Sequence, residues 1–400
     1  MHTHDFLVIG GGIVGISLAR AIKKSFPDCS VLLIEKEKRL GLHASGRNSG
    51  VLHAGFYYTE DSFKAKFCRE GNRHLTEFCE ERNLAINRCG KLVVARNEAE
   101  LNGLDLLYRR GVTNGVDLKI VDSEEATRIE PRVKTFQRAL FSPTTSSVDP
   151  TAIVTELALD LVRMGVTIRT DTAYLGRDKK AINSSRGLIH AGYVVNCAGL
   201  YADKIARDFG FSNDYRILPF KGLYLYSEEP AGSLRTHIYP VPDLNYPFLG
   251  VHFTVTVGGK TKIGPTAIPA LWRENYSWSE NFRLNELIET VQSSGALLWA
   301  GGREFARVVQ GELRKYSKGA LVDDASTLVQ GVKKGDYSMW GIPGIRAQVV
   351  NIKTRRLEMD FLFEAGPDSF HVLNAVSPAF TCSLPFADYL VDRIKHSSSL

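Results

Sequence analysis

Three glycines near the start of the chain stand where a backbone must come close to phosphate. Gly10-Gly11-Gly12-Ile13-Val14-Gly15 reads Gly-x-Gly-x-x-Gly. Gly10 permits a tight turn. Gly12 leaves the backbone bare for a pyrophosphate, and Gly15 lets the following helix lie close on the strand before it. Free N–H groups and the positive end of the helix dipole then face the phosphates. Glu35 comes twenty residues after Gly15, where a carboxylate accepts both hydroxyls of an adenosine ribose. An acid there calls for a free 2′-hydroxyl, so the spacing predicts FAD or NAD in preference to NADP. Ile13 and Val14 in the turn, and Lys36 beside the acid, complete this first set of cofactor contacts.

The next segment decides between the two. Gly41 to Gly50 is polar and glycine-rich, and it leads into Val51-Leu52-His53-Ala54-Gly55-Phe56-Tyr57-Tyr58. A simple NAD domain returns to a sheet crossover here. This segment instead resembles the loop and helix start that pass the pyrophosphate and reach the isoalloxazine in flavoprotein oxidoreductases of the D-amino-acid oxidase and glycerol-3-phosphate dehydrogenase superfamily. The resemblance implies FAD. On it, Ser45, Asn48 and Ser49 supply hydrogen bonds and Arg47 offsets phosphate charge. His53 falls just past the loop, at the junction of flavin and substrate. It is read as a base or as a hydrogen-bonding partner of the flavin, and imidazole suits either task near neutral pH. Tyr57 and Tyr58 either cover the ring or pack in the core.

These residues need a scaffold. Phe6 to Ile9 reads as a buried strand, Ile16 to Lys24 as a helix and Ser30 to Ile34 as a second strand. Phe63 to Arg82 reads as helix, and Leu84–Asn87 and Lys91–Ala95 as strands. A helix over Glu98–Arg110 and a capped one after Asp122 follow, then a loop over Pro131–Thr145. Asp149-Pro150 opens a helix with N-cap and first-turn grammar, ending at Gly165 before a strand at Val166–Arg169. Gly192–Gly199 reads as strand and turn, and Ala198-Gly199 resembles the turn that returns beside the adenine in the same superfamily. Leu218–Tyr226, Ile238–Pro242, Phe248–Thr254 and Lys260–Pro265 predict a mainly antiparallel sheet, and Asn281–Tyr316 a largely helical stretch. Phe370–Val376 reads as strand and turn before a helix over Leu384–Ile394. Set beside the flavin, that helix start would stabilise negative charge on the reduced ring, with Ser377, Pro378, Ala379 and Thr381 in contact and Ser383 assisting.

The predicted fold is α/β: a Rossmann-like FAD-binding domain split in sequence, with a mainly antiparallel sheet plus helices as the substrate domain. The FAD-binding parts are expected at 1–80, 148–212 and 341–400. The substrate or cap parts are expected at 81–147 and 213–340.

Composition sets outer limits. The chain has 400 residues, 44% hydrophobic and 24% charged, which is ordinary for a globular protein. A formal balance of +6 over that length makes no basic stripe, so nucleic acid is not an expected partner. No apolar run reaches the ~18 residues of a membrane span, and no signal peptide is read at the start. The expected location is cytoplasmic, with peripheral contact at the inner face of the membrane left open. Cys29, Cys68, Cys79, Cys89, Cys197 and Cys382 show no zinc spacing and no Cys-x-x-Cys, which predicts a reducing compartment and no metal site.

Seven segments, in order over almost the whole chain, are similar to the L-2-hydroxyglutarate dehydrogenase/oxidase family. They are Val51–Tyr58, Pro219–Gly222, Tyr239–Asp243, Phe248–Phe253, Lys262–Pro265, Gly344–Gln348 and Asn374–Ala379. The resemblance implies non-covalent FAD and oxidation of L-2-hydroxyglutarate to 2-oxoglutarate, with hydride passing from the hydroxyl-bearing carbon to flavin N5. It also implies a quinone or oxygen as electron acceptor. Thr266 and Pro269 depart from the family's usual residues after the Gly-Pro pair, and Ala379 and Phe380 from the superfamily's glycine after proline.

Such a reaction needs a hydride acceptor over the carbon, a base for the hydroxyl proton and donors for the carboxylates. His53 and His252 are the two candidate bases, and the sequence does not choose between them. His252 alternates with Val251 and Phe253, which sends its side chain to the opposite strand face. Lys221, Tyr239 and Arg273 are the candidate carboxylate ligands, with Arg346 as another or as an interdomain link. The competing functions are an amino-acid or amine oxidase of the same fold, another 2-hydroxy-acid or glycerol-3-phosphate dehydrogenase, and a flavin-binding protein with little turnover. An NAD-dependent dehydrogenase is disfavoured by Gly41–Tyr58.

Overall fold

The computed structural model describes residues 3–179, 181–244, 250–277 and 279–397. One sheet is parallel at its heart. The strand Thr3–Ile9 lies between Val31–Ile34 and Gly187–Asn196, with Thr167–Arg169 beyond Val31–Ile34. Ser369–Asn374 also pairs in parallel with Gly187–Asn196. The sheet therefore draws strands from the beginning, middle and end of the chain, the split Rossmann-like arrangement that the sequence predicts.

Phe6–Ile9 and Val31–Ile34 are buried at every position, because both faces of the sheet are covered. Phe6, Val8, Val31 and Leu33 pack with Ile16 and Ile22 of the helix Ile13–Ser25, Ile153 and Leu157 of Pro150–Arg163, and Phe386 and Leu390 of Ala379–Ser397. The alternate residues, Leu7, Ile9, Leu32 and Ile34, pack on the other face with Ile182, Ile189, Val194 and Ile205. Asp149 caps its helix by accepting the N–H groups of Thr151 and Ala152.

The second large sheet runs in the order Met339–Trp340, Leu225–Tyr226, Thr261–Gly264, His252–Val255, His237–Pro240, Lys91–Val94, Arg138–Ser142, Lys119–Asp122. Its neighbours are antiparallel except His237–Pro240 with Lys91–Val94. A four-stranded antiparallel sheet is centred on Tyr215–Gly222 and Gly344–Asn351. Among the described residues no helix is long and apolar enough to cross a membrane.

Three local expectations change. Arg138–Ser142 is a strand inside the expected loop, hydrogen-bonded on both sides. Its two fully buried apolar residues, Ala139 and Leu140, are too short a run to show a period. The extended piece Leu218–Tyr226 breaks after Gly222. Tyr215–Gly222 pairs with Gly344–Asn351 while Leu225–Tyr226 pairs with Thr261–Gly264, so Leu223 and Tyr224 carry the chain between sheets. The C-terminal helix starts at Ala379, ahead of the expected Leu384, and holds Pro385 inside. Pro385 leaves the Thr381 carbonyl without its in-helix donor. Gly71 of the helix Phe63–Glu81 backs on that carbonyl so closely that a Cβ would come within 2.1 Å of it. Phe248 and Leu249 of the expected strand, and Ser398–Leu400, lie outside the described residues.

Candidate active site

A cavity of about 850 Å³ is lined by the glycine turn, the polar loop, His53, Arg346 and the start of the C-terminal helix. At the glycine turn the three glycines do different work. Gly10 has φ +110°, and a Cβ would come within 2.4 Å of the Cys197 carbonyl oxygen. A Cβ on Gly15 would come within 2.0 Å of the Gly10 oxygen. Both glycines therefore serve the fold. Gly12 has an ordinary φ of −81°, lines the cavity, and its added Cβ would meet only Ser45 Oγ, at 3.1 Å. Its bareness serves close approach from the cavity side.

Glu35 ends its strand buried. Its Oε2 accepts the Gly11 N–H at 2.7 Å and its Oε1 accepts the Glu37 N–H at 2.9 Å. The carboxylate is thus aimed before any ribose arrives, with lone pairs left for two hydroxyls. Lys36 pairs with Glu37 and, at 2.8 Å, with Glu274. Ser45 Oγ accepts the Ile13 N–H at 2.8 Å, tying the polar loop to the helix N-terminus. Asn48 braces the same loop, donating to the Ser45 carbonyl at 2.7 Å and accepting from Gly50 at 2.8 Å. Arg47 donates to the Leu42 and Pro343 carbonyls, and its guanidinium stands 4.1 Å over the Tyr276 ring. A Cβ on Gly344 would come within 2.3 Å of the Arg47 oxygen, so that glycine lets the four-stranded sheet close on the loop.

Of the residues assigned to the cofactor, Gly10, Gly12, Ile13, Val14, Glu35, Lys36, Ser45, Arg47, Asn48, Ser49, Ala198, Gly199, Ser377, Pro378, Ala379 and Thr381 all line this one cavity. Gly15 does not, which agrees with its packing contact. The bare Gly12, two helix N-termini and an oriented buried acid fit a dinucleotide.

His53 lines the same cavity. Its N–H donates to Thr381 Oγ1 at 3.1 Å, and its carbonyl accepts from Cys68 and Asn72. The backbone is thus pinned to the C-terminal helix. Its Nδ1 is buried without a hydrogen-bond partner among the described residues. Burial first, then the charges of Lys91 and His237, hold the imidazole well below its ordinary value. It is neutral at physiological pH and carries a free lone pair. His252 is off the cavity lining. Its ring stacks on Tyr239 at 3.6 Å, and its Nδ1 lies 3.0 Å from the Gly250 carbonyl. The carbonyl can only accept, so the proton sits on Nδ1 and Nε2 is the basic nitrogen. Burial and then Lys91 hold this group low as well.

The four carboxylate candidates separate. Arg346 lines the cavity and donates to the Thr266 carbonyl at 3.2 Å. The other three lie off it. Lys221 follows Phe220, which faces Arg346 across the ladder, so alternation turns it to the opposite face. There it donates to Asn275 Oδ1 at 3.3 Å. Tyr239 is fully buried behind His252. Arg273 is the clearest correction. Its guanidinium forks onto both oxygens of Asp203, at 2.5 and 2.9 Å, and also donates to the Leu200 carbonyl. A buried guanidinium must be paired, and Asp203 has taken the fork that a substrate would need. Replacing Arg273 by methionine is expected to cost about 3 kcal/mol of stability, the low end for breaking a buried pair, because Asp203 loses the fork and keeps only Arg207, at 3.3 Å, and the Ile217 N–H. Denaturant unfolding measures this, and the Michaelis constant of the folded fraction should not move.

Sequence reading passes over two cavity-side features. Tyr224, at the break between the sheets, lines the cavity, and burial pushes its phenol up to about 12. Lys262 stands 4.6 Å over the Tyr224 ring, with burial lowering its ammonium to about 8. The signal for Tyr224 was Gly222 ahead of it. Gly222, Tyr224 and Pro265 line the cavity together with Arg346, and Glu35, Glu37, Asp208, Glu274 and Glu286 line it as well. Glu37, His43 and Glu274 also stand close enough to share an ion, but Lys36 bridges the two carboxylates.

The sequence profile of FAD dependent oxidoreductases matches residues 5–393. The human mitochondrial L-2-hydroxyglutarate dehydrogenase is 34% identical over 419 residues, covering 99% of this chain and 89% of that protein. The L-2-hydroxyglutarate dehydrogenase of Escherichia coli strain K12 is 32% identical, covering 98% of this chain and 93% of its own. Among solved structures, the dithionite-reduced L-alpha-glycerophosphate oxidase of Mycoplasma pneumoniae with FAD bound superposes with a TM-score of 0.78 at 21% identity, over 99% of this chain and 95% of that one. Glycine oxidase from Geobacillus kaustophilus gives 0.73 at 17% identity, over 99% and 96%. These two carry the fold. The cofactor is FAD. The chain is an FAD-dependent oxidoreductase enzyme, and it belongs to the FAD dependent oxidoreductase family, in the group of the L-2-hydroxyglutarate dehydrogenases.

Proposed function

We propose that the protein oxidises L-2-hydroxyglutarate to 2-oxoglutarate and passes the two electrons to a quinone or to oxygen. The observation that carries this reading is that a neutral histidine and an arginine line the same cavity as the FAD-binding residues. The histidine can take a proton and the arginine can bind an anion, and the relatives' shared name supplies the substrate's identity. The chemistry that FAD supplies when bound is hydride acceptance from the carbon bearing the hydroxyl. His53 receives the hydroxyl proton on its imidazole, and its pinned backbone holds the ring in place. Arg346 binds a carboxylate and fixes which carbon faces the cofactor. Tyr224 packs beside it and excludes water. The same reading puts the enzyme in the cytoplasm, its six described cysteines free, with contact at the inner membrane face if the acceptor is a quinone.

Product analysis tests this. With an artificial electron acceptor, one 2-oxoglutarate should form per two electrons from the L isomer and none from the D isomer. Turnover of amino acids or glycerol phosphate, with hydroxyglutarate inert, would overturn the substrate and leave the family standing. Replacing Arg346 by methionine should lower kcat/KM by about 10–150-fold, the worth of one charged hydrogen bond, mostly through KM. An unchanged KM would remove Arg346 from the site.

A further inference from the structure

Lys91 opens the strand Lys91–Val94 and is fully buried. Its ammonium has no hydrogen-bond partner among the described residues. Three aromatic rings surround it, with centroids at 4.3 Å for Tyr239, 5.2 Å for Tyr57 and 5.5 Å for Phe56. The antiparallel strand Arg138–Ser142 places only Ser142 opposite it, and the ionisable groups that act on it come from the other neighbouring segments. They are His53 and Tyr57 from the segment after the polar loop, Cys68 from the helix Phe63–Glu81, and Cys89 just ahead of its own strand. His237 and Tyr239 come from the parallel strand and His252 from the next. Lys262 acts on the same cluster through His237. No carboxylate is among these groups.

A buried ammonium without an anion is strongly disfavoured. The ring faces offset part of that cost for the charged form only. His237 does not serve as partner. Its Nδ1 accepts the Val255 N–H at 3.1 Å, and its Nε2 faces Cys89 and Ser147. The structure therefore holds a lysine beside the two candidate bases with its charge unanswered from within the described protein.

We propose that Lys91 is a positioning residue of the reaction chamber: behind His53, it supplies the counter-charge for the substrate carboxylate and gains a proton when that carboxylate binds. This rests on the 2-hydroxy-acid reading above. The proton comes from solvent to Nζ, and no covalent bond changes. Burial lowers the Lys91 ammonium to about 7, so the neutral amine and the ammonium coexist near neutrality. A carboxylate in the chamber favours the ammonium. The same carboxylate offsets the charge that Lys91 gains, so His53 and His252, held low first by burial and then by Lys91, face no added net positive charge.

The test uses the FAD-loaded enzyme and 2-oxoglutarate as a ligand that cannot reduce the flavin, read by the shift in flavin absorbance. The sign follows from linkage: if binding takes up a proton, affinity falls as pH rises. Wild-type affinity should fall about tenfold per pH unit above about pH 7. Calorimetry in buffers of different ionisation enthalpy should show uptake approaching one proton. Lys91→Arg stays charged, so its affinity should be flat over the same range and its proton uptake lost. Lys91→Met should bind weakly, with no slope. Retained flavin shows that each variant is folded. A flat wild-type affinity, no measurable binding, or the same slope in Lys91→Arg would overturn the proposal. Reduction by L-2-hydroxyglutarate is recorded on the same samples. Reduction with a flat affinity refutes the role of Lys91 alone. Absence of reduction refutes the substrate reading, while a slope that disappears in Lys91→Arg still supports a bound carboxylate answered by the Lys91 charge.

Discussion

Replacing His53 by asparagine is expected to slow flavin reduction by about 10²–10⁴-fold, the usual worth of a positioned base. The substitution isolates the imidazole. The contacts that hold this segment run through the backbone, from its N–H to Thr381 and from Cys68 and Asn72 to its carbonyl. Those survive the change, so FAD should remain bound and affinity for 2-oxoglutarate should change far less than the rate. The matched change at His252 should cost less, about tenfold or roughly 1.4 kcal/mol, because its ring lies off the cavity lining, stacked on Tyr239. Anaerobic stopped-flow reduction measures both. A reversed ranking would transfer the base to His252, whose Nε2 is the basic nitrogen.

Replacing Gly12 by valine should weaken FAD binding by about 100-fold, or roughly 2.7 kcal/mol, with little loss of fold stability. The backbone at Gly12 has a φ that any residue adopts, and an added Cβ meets only the end of a serine side chain. What the new side chain invades is the space kept for phosphate. Gly10 and Gly15 should behave differently. A Cβ on either meets a backbone carbonyl oxygen, so alanine there should lower the melting temperature as well as the flavin content. Flavin content, FAD titration of the apoprotein and thermal unfolding separate the cases. A Gly12→Val protein that purifies with a full complement of FAD would show that the turn does not take phosphate as described.

The cofactor site was legible in sequence because its demands are local. Gly10, Gly12 and Gly15 act within one turn, and Glu35 follows one helix and one strand later. Capping at Asp149 and strand burial at Phe6–Ile9 are likewise set by near neighbours. The substrate end was less legible because its residues are chosen by pairing between distant segments. Lys221 and Arg346 sit on adjacent strands of one sheet, and only the register shows that they face opposite ways. Arg273 looked available until Asp203, seventy residues away in sequence, was found holding it. Tyr224 enters the cavity because the chain changes sheets there. Lys91 offered a faint signal, a lone charge leading an apolar strand, but its unpaired state depends on Tyr57, Tyr239 and His237 arriving from elsewhere.

The measurement that bears most directly on the central claim is the anaerobic visible spectrum of the purified enzyme before and after L-2-hydroxyglutarate, with the D isomer in a matched cell. An oxidised-flavin spectrum that bleaches with the L isomer alone is the expected result. Flavin that stays oxidised with both isomers, and bleaches instead with an amino acid or glycerol phosphate, would contradict the assignment of a 2-hydroxy dicarboxylate to this site.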